Sequence, residues 1–213
     1  MTELQSAGCL ELPATGQGRG ILVLHAWWGL NPFFRSLCRR LAGAGFVAYA
    51  PDLYHGKIAQ TVDEAKALRT KLNQQKAFGE ILAATETLTS LEAVTGGSLG
   101  VIGFSLGARF ALELSVARPE RIRAVVTFYG TSGLDYAPAQ AAYLGHFAET
   151  DAWVAASGVK KLHQTLHAAR RPVTFHTYPG TGHWFFESDR PEAYQPEAAQ
   201  LAWERTVTFL KDS

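Results

Sequence analysis

The sequence predicts an α/β fold, a mostly parallel central sheet with helices on both faces, in a single domain over residues 1–213. Three observations carry this prediction. Short continuous apolar runs, such as ILVL at 21–24 and FVAYA at 46–50, have the composition of strands covered on both sides. These runs alternate with segments whose apolar residues recur at helical spacing, the order that yields parallel strands joined by right-handed crossovers. Of the 213 residues 47% are hydrophobic and 18% charged, which is enough apolar surface to bury such a sheet within one core.

Residues 8–13 read as an edge strand, followed by the turn GQGRG at 16–20. Those glycines precede a strand and do not open a helix, so they lack the geometry of a phosphate loop. After strand 21–24, Asn31 is placed to cap a helix with Pro32 at its first position, and Phe33, Phe34, Leu37, Cys38 and Leu41 form the apolar stripe. Glycines at 43 and 45 stop it, and 46–50 is the next strand. Residues 61–72 and 78–94 are helical by period, with Gly96 and Gly97 closing the pair. A strand at 101–104 runs into a helix whose face is Leu106, Phe110 and Leu114, ended by Pro119. Strand 124–129 leads to a connector, 131–141, too short to hold a helical lid. Residues 143–147 are a further strand. Val159, Leu162, Leu166 and Ala169 mark a helix that Ser157, beside Gly158, is placed to cap. The last strand is 173–178, and Ala199, Trp203, Val207 and Leu210 mark the closing helix.

Charge and composition exclude several functions. The formal net charge is +1, and no basic run with interleaved aromatics exists to attract nucleic acid. The N-terminus MTELQSAG lacks the basic start and apolar core of a signal peptide, and no apolar run reaches membrane-spanning length. The chain is therefore expected in the cytoplasm and off the membrane, and a monomer accommodates this reading. Cys9, on a strand, and Cys38, on the buried stripe of a helix, are expected as reduced core thiols.

The chemistry centres on GFSLG at 103–107, a G-x-S-x-G pentapeptide between a buried strand and a helix. This is the nucleophile-elbow pattern: the turn is so tight that side chains two before and two after the serine would strike backbone. Ser105 is thereby lifted to the N-terminus of a helix, where backbone N–H groups favour a developing oxyanion. Reactive groups in such sheets collect at the carboxyl ends of strands. The loops there supply His25 to Asn31, Asp52 to Gly56, Ser105, Asp151 and His183. A serine hydroxyl needs a base within hydrogen-bond reach, and His183, in the loop YPGTGHW after the last strand, is the candidate. Asp151 is the candidate to hold its other ring nitrogen, with Asp135 in reserve. The chain order Ser, Asp, His is that of G-x-S-x-G hydrolases. His163 and His167 are four apart on a helix but lack the Glu of H-E-x-x-H, so they read as a solvated face; no metal or cofactor is expected. His146 and His176 read as satisfied strand residues.

Along its length the chain resembles the dienelactone hydrolases, a small lidless branch of the α/β-hydrolase fold. The resemblance rests on LHAWWGLNPFF, YAPDLYHGK, GFSLG, FYG, LGHFAETDAWV and YPGTGHWFF with RPEAYQPEAA following. It implies that Ser105 stands in the nucleophile's place, Asp151 in the acid's and His183 in the base's, with the backbone N–H groups of Trp27 and Leu106 as oxyanion donors. Two departures go together: the family's cysteine nucleophile is Ser105 here, and the glutamate that partners the resting cysteine is Ala26. A serine has no thiolate charge to manage and relies on His183 alone. Arg35 and Arg190 lie in the neighbourhoods of the family's substrate-carboxylate arginines. The expected activity is hydrolysis of a small carboxylic ester or lactone through an acyl-enzyme, with Trp28, Tyr54, Phe104, Tyr129 and Trp184 as candidates to line the pocket. Two alternatives use the same residues: a non-catalytic domain that binds a small ligand, and acyl transfer to an acceptor other than water.

Overall fold

The computed structural model describes residues 8–213. Along them run β1 (Gly8–Glu11), β2 (Gly18–Leu24), α1 (Pro32–Gly43), β3 (Phe46–Pro51), α2 (Val62–Lys71), α3 (Gln74–Thr89), β4 (Val94–Phe104), α4 (Leu106–Ala117), β5 (Ile122–Phe128), β6 (Ala142–Ala148), α5 (Ala156–Ala168), β7 (Val173–Tyr178) and α6 (Pro196–Asp212). The strands form a seven-stranded sheet in the order β1-β3-β2-β4-β5-β6-β7. β1 runs antiparallel to β3, and the remaining pairs are parallel. No helix among the described residues is long and apolar enough to cross a membrane.

Alternation within the strands explains why continuous apolar runs were needed. Ile21, Val23, Ile102 and Phe104 pack into the layer that holds Phe34, Leu37 and Leu41 of α1 and Ala202 and Leu210 of α6. Leu22, Leu24, Leu99 and Val101 point the other way, onto Ile81 and Leu88 of α3, Phe110 and Leu114 of α4, and Leu162 and Leu166 of α5. Cys9 and Cys38 are both buried in the α1 layer. Local signals start α1 and α2 where the sequence places them. The Asn31 side chain accepts the Phe34 N–H at 3.2 Å ahead of Pro32, and Thr61 and Glu64 close a capping box on α2.

Boundaries differ from the sequence reading in several places: β2 already begins at Gly18, inside the segment 16–20 read as a turn, and two further differences concern helices. α3 begins at Gln74 under an Asn73 cap and ends at Thr89, while the residues from Val94 open β4. Gly96 and Gly97 do not close the helix pair. They take φ of 93° and 68° inside β4, where residues 96–99 stand opposite Gly20 alone in the ladder with β2. Such a bulge needs residues that tolerate positive φ, which is why two glycines sit there. The second correction concerns α5, whose cap is Ala155 with no side-chain bond, so that Ser157 lies inside the first turn. The connector 131–141 carries no helix, and its Tyr136 is fully buried against Tyr143.

The start of α4 lies closer to β2 than a side chain allows. A Cβ on Gly107 would meet the backbone carbonyls of Leu24 and His25, and one on Gly103 would meet the backbone of Gly107 and Ala108. Because backbone cannot swing aside as a side-chain tip can, Gly107→Ala should push α4 off the sheet. We expect it to destabilise the fold by about 1–3 kcal/mol, a fall of roughly 3–10 °C in Tm for a chain of this size. Thermal unfolding of the variant beside the parent checks this, and an unchanged Tm would contradict the close approach.

Candidate active site

Ser105 sits between β4 and α4 at φ 49° and ψ −105°, a backbone state that costs a residue with a Cβ about 1–3 kcal/mol. Its surroundings hold it there. The Ser105 N–H donates to the Phe128 carbonyl at 3.0 Å, and its own carbonyl accepts the Ala108 N–H at 3.1 Å. Gly130 lets the loop after β5 close over this turn, since a Cβ there would meet Ala108 and the Ser105 carbonyl. The result is a half-buried hydroxyl facing the loops at the carboxyl ends of β6 and β7.

Those two loops bring Asp151 and His183 to it. The Thr150 N–H donates to the Thr181 carbonyl at 3.1 Å, and the Gly180 N–H donates to Glu149 Oε2 at 2.9 Å, so the loops are tied to each other. His183 Nε2 lies 3.2 Å from Ser105 Oγ, and Nδ1 lies 2.7 Å from Asp151 Oδ2. The other Asp151 oxygen, Oδ1, accepts the N–H groups of Trp153 and Val154 at 2.8 and 2.9 Å. Burial pushes the Asp151 carboxyl up. The hydrogen bond and charge of His183, with the two backbone donors, outweigh burial and hold it below the ordinary carboxylate range. An anionic Asp151 on Nδ1 leaves Nε2 free to accept the serine proton. Asp135 stays apart, accepting the Ala137 N–H in a turn of the connector.

Two residues with unpartnered backbone donors line the same cavity. The N–H of Leu106 opens α4 and that of Trp27 follows β2, and neither has an acceptor among the described residues. A cavity of about 370 Å³ opens over Ser105 and His183, walled by Trp27, Leu106, Tyr129 and Trp153. Arg69 of α2 and Arg109 of α4, both exposed, also line it. Neither guanidinium has a hydrogen bond or ion pair among the described residues, so their charge is available to a bound molecule. Nothing in the sequence marked these two, because each is a single arginine on the outward face of a helix.

The aromatic candidates divide. Tyr129 is on the cavity wall, its ring centroid 4.7 Å from that of His183. Phe104 is not: it is wholly buried and stacked on Phe128 at 4.6 Å, because the residue before the elbow still points into the sheet layer. Trp28 lies under Arg190, and Tyr54 borders a separate hollow between α2 and α3. Trp184 stands behind the wall, against Trp27 and Trp28. Arg190 and Arg35 do not reach the cavity either. Arg190 is buried, bonded to Asp189 Oδ2 at 3.2 Å and the Gln60 carbonyl at 3.3 Å, and Arg35 is exposed on α1. A hollow of about 670 Å³ beyond Asp151, between α5 and the strands β6 and β7, does not include Ser105 or His183.

His146, His163 and His167 lie outside the Ser105 cavity. His146 is buried between the Tyr178 hydroxyl at 2.7 Å and Thr206 Oγ1 at 3.0 Å, and burial, with the charges of His176 and Arg205, holds its pKa well down. His163 and His167 are exposed on α5, and among the described residues no group of three or more His, Cys, Asp or Glu side chains is placed to hold a metal. Sequence reasoning missed Glu187, which closes the aromatic run after His183. It is fully buried; Oε1 accepts the Tyr129 hydroxyl at 2.6 Å, and Oε2 has no hydrogen-bond partner among the described residues.

The chain is similar to known proteins over nearly its whole length. The model of the dienelactone hydrolase family matches residues 7–213. The protein Usf of Aquifex pyrophilus is 32% identical over 96% of this chain and 92% of its own length. A carboxymethylenebutenolidase of Pseudomonas sp. strain P51 is 30% identical over 95% of this chain and 88% of its own. Among solved structures, a dienelactone hydrolase-like promiscuous phosphotriesterase from metagenomic libraries shares the fold at a TM-score of 0.83, with 22% identity over 92% of this chain and 87% of its own.

Glu187 generates a test of the buried layer beneath the site. Burial pushes its carboxyl from 4.5 up to about 8; Asp189 adds to the rise, while the Tyr129 hydroxyl and Arg190 oppose it. The folded state therefore holds a proton that the unfolded chain releases between those two values. Stability from this group is complete below the unfolded value and is lost as pH rises through about 8. In Glu187→Gln the side chain is neutral at every pH and still accepts from Tyr129. The Tm of Glu187→Gln minus that of the parent should rise by roughly 3–10 °C from about pH 5 to about pH 8.5. A difference that stays flat across this range would mean that Glu187 is ionised in the folded protein.

Proposed function

The chain belongs to the dienelactone hydrolase family, and from that premise we propose that it hydrolyses a small carboxylic ester or lactone through an acyl-enzyme formed on Ser105. The observation that carries the proposal is the continuous hydrogen-bonded chain from Ser105 Oγ through His183 to Asp151. In the first half-reaction Oγ attacks the carbonyl carbon as its proton passes to His183 Nε2. The oxyanion takes hydrogen bonds from the N–H groups of Trp27 and Leu106. As the tetrahedral intermediate collapses, the bond to the leaving alkoxide breaks and His183 returns the proton to it; in a lactone the freed hydroxyl stays on the acyl group. Water then repeats the sequence, giving its proton to His183 and releasing the acid and Ser105. Asp151 holds Nδ1–H throughout and stabilises the imidazolium. No cofactor takes part in these steps.

The cavity supports the substrate's size and charge. About 370 Å³ beside a connector without a helix suits a short acyl group. Arg69 and Arg109 favour a substrate that carries a carboxylate of its own. The aromatic faces of Trp27, Trp153 and Tyr129 suit a planar ring.

A fluorophosphonate probe should label the protein once, at Ser105. Labelling should disappear in Ser105→Ala and slow greatly in His183→Ala; a labelled Ser105→Ala would remove the serine from the mechanism. Acetyl to butyryl esters of an activated phenol should be hydrolysed at least ~10-fold better in kcat/KM than decanoyl esters, a gap of about 1.4 kcal/mol in barrier. A maximum at ten carbons or more would mean a larger site. Arg109→Ala should lower kcat/KM for an ester bearing a free carboxylate by roughly 2–10-fold relative to the neutral ester, as expected for an exposed charge pair. Equal effects on both esters would remove the arginine from substrate recognition.

A further inference from the structure

The residue that ends the approach to Trp27 is His25, and its imidazole is wholly buried, with ring centroids 5.3 Å from Tyr54 and 6.2 Å from Phe34. Its two nitrogens have different partners, and these assign the tautomer. The Leu53 N–H can only donate, and it reaches Nε2 at 3.2 Å, so Nε2 is the bare nitrogen. Nδ1 carries the hydrogen and donates to the Ala26 carbonyl at 2.7 Å. Burial is the largest influence on this ring and lowers its pKa, opposed by the Ala26 carbonyl and the charge of Asp52. The imidazole is therefore a neutral fixture with one defined donor.

That donor acts on the peptide group that matters to the site. The Ala26 carbonyl and the Trp27 N–H are the two ends of one planar trans peptide, so aiming the carbonyl one way aims the N–H the other. The Gly29 N–H donates to the same carbonyl at 3.2 Å, which gives it a second anchor. Held by two donors at its carbonyl, this peptide leaves its own N–H without an acceptor among the described residues, and it belongs to Trp27, which lines the Ser105 cavity. Hydrogen bonds to the carbonyl also polarise the peptide and strengthen its N–H as a donor.

We propose that His25 is a positioning residue of the oxyanion hole: its Nδ1–H holds the Ala26–Trp27 peptide in the orientation that presents the Trp27 N–H to the developing oxyanion. The inference rests on the reading of Ser105 as nucleophile and Trp27 N–H as oxyanion donor. It separates His25 from a structural role, in which the ring would only fasten the loop after β3 through Leu53.

Two variants distinguish these roles, because each keeps one half of the ring's bonding. The Asn amide reaches the place of Nδ1 and keeps a donor for the Ala26 carbonyl, whereas the Gln amide reaches the place of Nε2 and keeps an acceptor for the Leu53 N–H. With phenyl acetate as substrate, His25→Gln should lower kcat by about 10–100-fold with KM changed less than about 3-fold, a large part of what losing one oxyanion donor costs. His25→Asn should regain at least ~10-fold of that loss, even where its Tm is the lower of the two. A third reading comes from the amide of Trp27 in a ¹⁵N-labelled protein. Its proton should move downfield when a phosphonate adduct forms in the parent and in His25→Asn, and move much less in His25→Gln. If His25→Gln keeps kcat within about 3-fold of the parent, or if activity in both variants follows Tm alone, the ring only fastens Leu53. If the Gln variant does not fold, loss of kcat and of the Trp27 shift in His25→Asn overturns the proposal. Ser105→Ala run alongside keeps the two levels apart: activity surviving there removes the nucleophile, whereas activity lost there but insensitive to the His25 exchange removes only the positioning role.

Discussion

Everything at this site depends on the close approach of the first turn of α4 to the end of β2. Gly107 lies against the carbonyls of Leu24 and His25 with no room for a Cβ, and Gly103 lies equally close to Gly107 and Ala108. That contact forces the chain to reverse within one residue, which puts Ser105 at positive φ. The same contact brings Leu106, at the start of the helix, and Trp27, beyond the strand it touches, onto the wall of one cavity with Ser105. A strained backbone and two unpartnered donors are thus consequences of one packing constraint, and the surrounding sheet is what sustains their cost.

Asp151 and His183 come from the loops after β6 and β7, to one side of β4, and are positioned by different means from Ser105. Ser105 is set by strand and helix, but Asp151 and His183 lie on loops, whose backbones are held by cross-bonds between residues 149–150 and 178–181. Asp151 uses one oxygen for the loop and the other for the histidine. That double use gives it an anionic form despite burial, because four stabilising interactions with the carboxylate oppose a single desolvation cost. A carboxylate serving only as a turn former would not need Oδ2 turned toward an imidazole.

Beneath these residues lies a layer of buried polar groups that a purely apolar core would avoid. His25, His146 and Glu187 are each fully enclosed, and each is bonded to a group close to the site: the Ala26 carbonyl, Tyr178 next to the His183 loop, and Tyr129 against the His183 ring. Buried polar contacts are directional where apolar packing is not, so they can define the angle of a peptide plane or a ring. Glu187 Oε2 has no hydrogen-bond partner among the described residues, so this layer is not uniformly satisfied, and burial raises that carboxyl to about 8.

The sequence by itself determined the alternation of strands and helices about a mostly parallel sheet, and singled out Ser105, Asp151 and His183, whose side chains are joined by hydrogen bonds. Its signals are local: an apolar run, a helical stripe, a pair of glycines two residues either side of a serine, and loops that must emerge at the carboxyl ends of parallel strands. Where a signal was ambiguous over short range, the ladder decided it, as when Gly96 and Gly97 became a bulge in β4 and not a helix stop. Which side chains reach the cavity was decided only by the tertiary structure. Phe104, Trp28, Tyr54 and Trp184 are as aromatic as Tyr129, and Arg35 and Arg190 as basic as Arg69 and Arg109, but residue type does not say which way a side chain points once helices from distant parts of the chain pack together. The same holds for Glu187 and for the His25 tautomer. Their roles arise from partners at residues 129 and 53, brought close by the sheet, and spacing along the chain carries no trace of such contacts.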